Sequence, residues 1–102
     1  MWLIASFDLP AEDRADAKRY RVLRKTMLAA GFSFVQKSVA WRWCADREQS
    51  KWMIDRIRKV IPEKGNVLFF QMSEAAFGTT VHIADGAAID LPTPPDLWLF
   101  FS

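Results

Sequence analysis

The sequence predicts an α+β domain of the ferredoxin-like kind, an antiparallel four-stranded sheet with two helices on one face, in the order βαββαβ. Three observations predict it. The chain has 102 residues, the size of one domain. Two stretches carry apolar residues at three- and four-residue steps, each with helix start and stop signals. Short apolar runs of strand length precede, separate and follow them.

Residues 2–8 (WLIASFD) form an apolar run stopped by Leu9-Pro10, a first strand ending on Asp8. Glu12, Asp13 and Asp16 then crowd the expected first turn of a helix. Lys18, Arg19, Arg21, Arg24 and Lys25 follow towards its end, the order that the helix dipole favours. Tyr20, Leu23, Met27 and Ala30 mark its buried stripe, and Gly31 suits the position after its C-cap. Residues 32–36 and 38–44 are the next two strands, joined at Gln36-Lys37-Ser38, or else one continuous bent strand. Alternation places Val39, Trp41 and Trp43 on one face and Ala40, Arg42 and Cys44 on the other.

Asp46 is placed to cap a second helix with the stripe Met53, Ile54, Ile57, Val60 and Ile61, and Pro62 follows its end. After a turn at Lys64-Gly65-Asn66, the run 67–72 is the fourth strand. Residues 79–83 have the β-branched character of a short fifth. Gly86, Pro92, Pro94 and Pro95 predict an extended connector over 85–96, before the closing apolar residues 97–101. The expected division is therefore a ferredoxin-like domain over 1–83 and a Pro-rich tail over 84–102, with an extra C-terminal strand for a dimer or partner contact. Helices on one sheet face alone leave the other bare. That predicts a homodimer through the sheet face, in keeping with eight Phe and five Trp in so short a chain.

The net charge of +2 hides an asymmetry. All 14 Lys and Arg lie in residues 1–64, against 8 acids there, while residues 65–102 hold 4 acids and no base. A basic front suits phosphates and an acidic, apolar tail suits protein, although a solvated helix surface also accounts for the bases. The single cysteine, Cys44, makes no internal disulfide and no zinc site without further ligands. With no signal-peptide pattern and no apolar run of membrane-spanning length, a cytoplasmic protein without membrane contact is expected.

Known catalytic signatures are absent: no phosphate loop, no nucleophile elbow, no His-Glu-x-x-His, and a lone His82. Asp8 stands out as an acid ending an otherwise apolar strand. It either caps the turn at Leu9-Pro10 or serves as half of a metal site. One carboxylate holds a hard divalent ion poorly, but two across a two-fold axis, with water and phosphate oxygens, hold Mg²⁺. Arg14, Lys18, Arg21 and Lys25 share one helix face at three- and four-residue steps, a row able to follow a phosphate backbone without reading bases.

The opening WLIASFDLP, the helix KRYRVLRKTMLAAGF and the segment VQKSVAWRWC resemble the Cas2 family of CRISPR adaptation proteins. "FDLP", "RYRVLRK" and "PEKGNV" resemble most closely the members that accompany the Cas9 effector; the likeness covers about residues 1–80. It implies a homodimer that bridges two dimers of the Cas1 integrase and lays double-stranded protospacer DNA across its surface. It also implies Mg²⁺- or Mn²⁺-dependent endonuclease activity on single-stranded RNA or duplex DNA. Asp8 would then be catalytic and the metal ligand, one ion being shared between the two Asp8 of the dimer. Nucleic-acid contact carries over to Arg14, Lys18, Arg19 and Arg42, and Ser38 matches the family's serine. Beyond Ile83 no family pattern is recognised, and by analogy the tail would contact the integrase. Two other classes remain: an endoribonuclease toxin of the VapD kind, and a non-enzymatic ferredoxin-like module binding nucleic acid.

Overall fold

A computed structural model of the chain describes residues 1–95. The element order is β1 (Trp2–Asp8), α1 (Arg14–Ala29), β2 (Ser33–Gln36), β3 (Val39–Trp43), α2 (Arg47–Arg58), β4 (Asn66–Met72), α3 (Glu74–Phe77), β5 (His82–Ala84) and β6 (Ala87–Ile89). The first strand ends where the sequence places its end, because Leu9-Pro10 stops the ladder. The first six elements give the expected α+β, βαββαβ frame. Its sheet is antiparallel in the order β2-β3-β1-β4. β1 is central: Trp2 faces Trp43 of β3 on one side and Met72 of β4 on the other, and Asp8 faces Asn66.

Both helices begin on an aspartate whose side chain accepts a backbone N–H three residues on, Asp13 from Asp16 and Asp46 from Gln49. Glu12 and Asp13 therefore precede α1 rather than form its first turn. α1 stops because Gly31 turns at φ +91, a conformation glycine adopts without a Cβ penalty. α2 ends at Arg58, so Val60 and Ile61 lie beyond it, although both still pack on the core. The helices cover one sheet face. Leu3, Ala5 and Phe7 of β1 meet Leu23 and Met27 of α1 and Met53 and Ile57 of α2 there. Each fully buried Leu, Ile or Met contributes about 1.5–3 kcal/mol. Buried Ser50 is satisfied by Gln71, whose Nε2 donates to its Oγ at 2.9 Å.

Of the two readings of residues 32–44, two strands joined as a hairpin holds, with an irregular register between Phe34 and Gln36. Three further expectations change. The fifth strand starts at His82, because Thr79 and Thr80 are spent on the turn that closes α3, donating to Ala76 and Phe77 carbonyls. The connector expected from Asp85 instead contains β6, which pairs with β5 around Asp85-Gly86, both at positive φ. The hairpin thus straddles the expected boundary between residues 83 and 84.

Finally, the second sheet face is not bare. Trp2, Ile4 and Trp41 are buried there with Phe77, which stacks on Trp2 at 4.3 Å and meets Trp41 edge-on at 5.0 Å. Leu91 packs against the same cluster. The chain's own C-terminal segment covers this half. The β4 half stays open, with Leu68 62% and Phe70 46% exposed. The apolar residues 97–101 lie outside the described residues. Among those described, no helix is long and apolar enough to cross a membrane.

Candidate active site and nucleic-acid interface

Asp8 lies on the second sheet face. Along β1, Leu3, Ala5 and Phe7 point to the helices and Trp2 and Ile4 to the opposite side, so alternation sends Ser6 and Asp8 the same way as Ile4. The strand end is fixed from both flanks. On one, Phe7 N donates to Ser38 O at 2.8 Å, tying the β2–β3 turn to β1. On the other, Gly65 approaches Leu9 so closely that an added Cβ would stand 2.6 Å from Leu9 Cδ2 and 3.0 Å from Pro62 O.

Asp8 is exposed and caps nothing. Among the described residues no hydrogen bond or ion pair engages its carboxylate, so the turn at Leu9-Pro10 does not depend on it. It borders an open groove of about 600 Å³ whose walls include Asp16, Tyr20, Arg21, Lys37 and Ser38. Asp16 is already engaged, accepting from Glu12 N at 3.1 Å and Arg19 Nη1 at 3.2 Å. Among the described residues no three His, Cys, Asp or Glu side chains converge as a metal group. At this groove a single chain thus offers one free hard carboxylate, and a divalent ion needs a second.

The basic residues divide. Arg14 and Lys18 are exposed on α1, and Lys18 borders shallow grooves on both sides of that helix, with Arg19 and Lys59 on one and Arg21, Arg24 and Lys25 on the other. Arg19 spends one donor on Asp16, an exposed pair three residues apart that is worth a few tenths of a kcal/mol. Arg42 has a structural task. From the helix side of β3 its Nε donates to Ala30 O at 2.6 Å and its Nη1 to Trp43 O at 2.7 Å, holding the C-terminus of α1 to the sheet. Trp41 is core, and Trp43 Nε1 donates to Glu74 at 2.8 Å.

Cys44 is fully buried, and burial pushes its thiol up despite the opposing hydrogen bond from Arg42, so it is no nucleophile. His82 meets the Trp41 ring edge-on at 6.3 Å. Two groove residues carried no functional expectation. Lys37 is an isolated base in a short turn, and Tyr20 falls on the helix's apolar stripe. Only the lone charge in the tripeptide Gln36-Lys37-Ser38 signalled the first.

The family model described as CRISPR associated protein Cas2 matches residues 1–80. This chain belongs to the Cas2 family. A CRISPR-associated endoribonuclease Cas2 of Parvibaculum lavamentivorans is 35% identical over 101 residues, covering 98% of this chain and 100% of the relative. One of Flavobacterium psychrophilum is 38% identical over 78 residues, covering 76% of this chain and 68% of the relative. The crystal structure of Streptococcus pyogenes Cas2 at pH 6.5 superposes with a TM-score of 0.66 at 20% identity, over 82% of this chain and 100% of that one, so the two share a fold. In this Cas2-family chain, Asp8, the basic helix and the β2–β3 turn all fall inside the matched segment. The whole β5–β6 hairpin falls beyond it.

Proposed function

We propose that this protein serves CRISPR adaptation, the acquisition of spacers, as a homodimer that bridges two dimers of the Cas1 integrase and holds protospacer DNA on its basic helices. The same dimer is a metal-dependent phosphodiesterase; the name endoribonuclease borne by its relatives supports the cleavage. The observation that carries this reading is an exposed, uncapped Asp8 on the sheet face whose β4 half is open.

Leu68 and Phe70 supply apolar surface for a second copy on that face. Two chains meeting there about a two-fold axis bring Asp8 towards Asp8. Their carboxylate oxygens suit one Mg²⁺ or Mn²⁺. When bound, such an ion supplies an activated water and neutralises the scissile phosphate. The chain's own residues keep the carboxylate free of internal partners and hold its strand end between the Ser38 turn and Gly65. Arg14, Lys18 and Arg19 contact backbone phosphates, which positions nucleic acid without reading its sequence. Arg42 supports that surface by holding α1. The tail is the integrase contact. The likeness of FDLP, RYRVLRK and PEKGNV to members that accompany the Cas9 effector supports a gene set beside such an effector, which inspection of the neighbouring genes tests.

Asp8→Ala tests the catalytic half. Spacer acquisition in cells should survive while Mg²⁺-dependent cleavage of RNA and DNA in vitro disappears. Cleavage unchanged in the variant would remove the metal site. Failure of the full chain to co-purify with its cognate Cas1 would remove the adaptation role.

A further inference from the structure

Outside the Asp8 pair, the groove beside it has its own construction. Lys37 sits at the tip of the β2–β3 turn, and the turn is fastened twice. Tyr20 donates its hydroxyl to Lys37 O at 2.7 Å, and Phe7 N donates to Ser38 O at 2.8 Å. The Lys37 ammonium lies over the Tyr20 ring, 5.8 Å from its centroid, where the ring's negative face attracts it. Arg21, the next residue on α1, lines the same groove. Among the described residues neither Lys37 nor Arg21 is ion-paired, although Asp8 and Asp16 border the groove with them.

A ligand that fits has anionic oxygens for the cations and a centre to present to Asp8. A phosphodiester has both. Carboxylates alone repel phosphate, and two unpaired cations on the wall offset that repulsion. A lysine on a doubly fastened turn is also pre-organised, losing less side-chain freedom on binding than one on a mobile loop. We propose that Lys37 and Arg21 form a phosphate clamp that seats one nucleic-acid phosphodiester beside Asp8, with Tyr20 as the residue that positions Lys37. This rests on the reading of Asp8 as the catalytic group, and it names the residues that hold the substrate there.

The test separates the two. Binding of a fluorescein-labelled duplex DNA and of a labelled single-stranded RNA to the full chain is followed by anisotropy in EDTA across a KCl series. No metal is present, so Asp8 chemistry plays no part. Lys37→Gln should weaken binding and lower the slope of log affinity against log salt by roughly 0.7–0.9, one phosphate contact, with the larger loss marking the preferred nucleic acid. Lys37→Arg should keep the wild-type slope. Lys51→Gln, the same charge change on α2, should leave it unchanged.

With Mg²⁺ added, Tyr20→Phe keeps the ring but drops the hydroxyl, and it should raise KM several-fold with kcat held. A merely structural tyrosine would lower the melting temperature and leave KM alone. Asp8→Asn should abolish kcat and keep the EDTA slope. A Lys37→Gln slope equal to wild type on both nucleic acids, or matched by Lys51→Gln, overturns the clamp. Cleavage intact in Asp8→Asn overturns the catalytic reading alone, because the clamp stands or falls on the EDTA slopes, where nothing is cleaved.

Discussion

Replacing Phe77 by alanine removes the ring that lies between Trp2 and Trp41. Phe77 is 3% exposed, stacked on Trp2 with 15° between planes and edge-on to Trp41 at 87°. Phe→Ala in cores costs about 3–5 kcal/mol. Phe77 stands on a four-residue helix at the outside of the sheet, where neighbours can close part of the gap, so the lower end applies, about 3 kcal/mol. That is a large share of the roughly 5–15 kcal/mol that holds such a domain together. At about 4–8 °C per kcal/mol it lowers the melting temperature by roughly 12–24 °C. Calorimetry at fixed protein concentration measures it, with the concentration held because a dimer's midpoint moves with it. Phe70→Ala, at a position 46% exposed on the same sheet face, is the matched control and should cost far less in the isolated chain. A Phe77→Ala loss below about 1 kcal/mol would refute the reasoning, since Trp2 and Trp41 would then owe their burial to something other than the segment carrying α3.

Gly31→Ala should cost about 1–2 kcal/mol by urea midpoint, since φ is +91 and the new Cβ would stand 3.0 Å from the Arg42 Nε that holds Ala30. Asp8→Asn should change the urea midpoint by less than about 0.5 kcal/mol, as an exposed group without partners, while ending cleavage. Glu74 titrates at about 2 instead of 4.5 because the Met1 ammonium and Trp43 Nε1 donate to it. Its folded value is depressed, so its contribution is complete above 4.5 and is lost as pH falls towards about 2. Melting temperature against pH should therefore fall less steeply across that window in Glu74→Gln than in the wild type.

The main frame was legible because local signals agreed with tertiary demands. Asp46 caps the helix it was expected to cap, Asp13 caps the first helix although it was expected inside its first turn, and Leu9-Pro10 stops the strand it was expected to stop. The site was half legible. An acid ending an apolar strand marked Asp8, and spacing marked the basic face of α1. Arg42 has a structural task that its residue type did not signal, although its alternation with Ala40 and Cys44 already put it on the helix side, where a guanidinium must find carbonyl partners. The region after Met72 was the least legible. A four-residue helix has too few turns to show a period. Asp85-Gly86 was a hairpin signal overshadowed by the prolines after it. Lys37 owes its place to a hydrogen bond from Tyr20, seventeen residues earlier, and no local pattern encodes that. The hairpin also changes how the tail should be tested. A truncation at residue 84 would remove β6, the pairing partner of β5, and Leu91, which packs against the second core cluster, whereas one confined to 96–102 spares every element described.

The central place of β1 bears on how the chain is made. The strand is made before both of its neighbours, and β4 comes much later than β3. Val39 opposite Ser6 belongs to a strand a third of the way along, and Met72 opposite Trp2 lies much further on. One edge of WLIASF can pair with β3 once residue 43 has emerged, but its other edge stays open until β4 follows. Pairings so distant in sequence are slow to form, and an apolar strand kept waiting is open to other chains. The central position that ends β1 on a free Asp8 therefore leaves one edge of an apolar strand open while residues 44–72 are still being made.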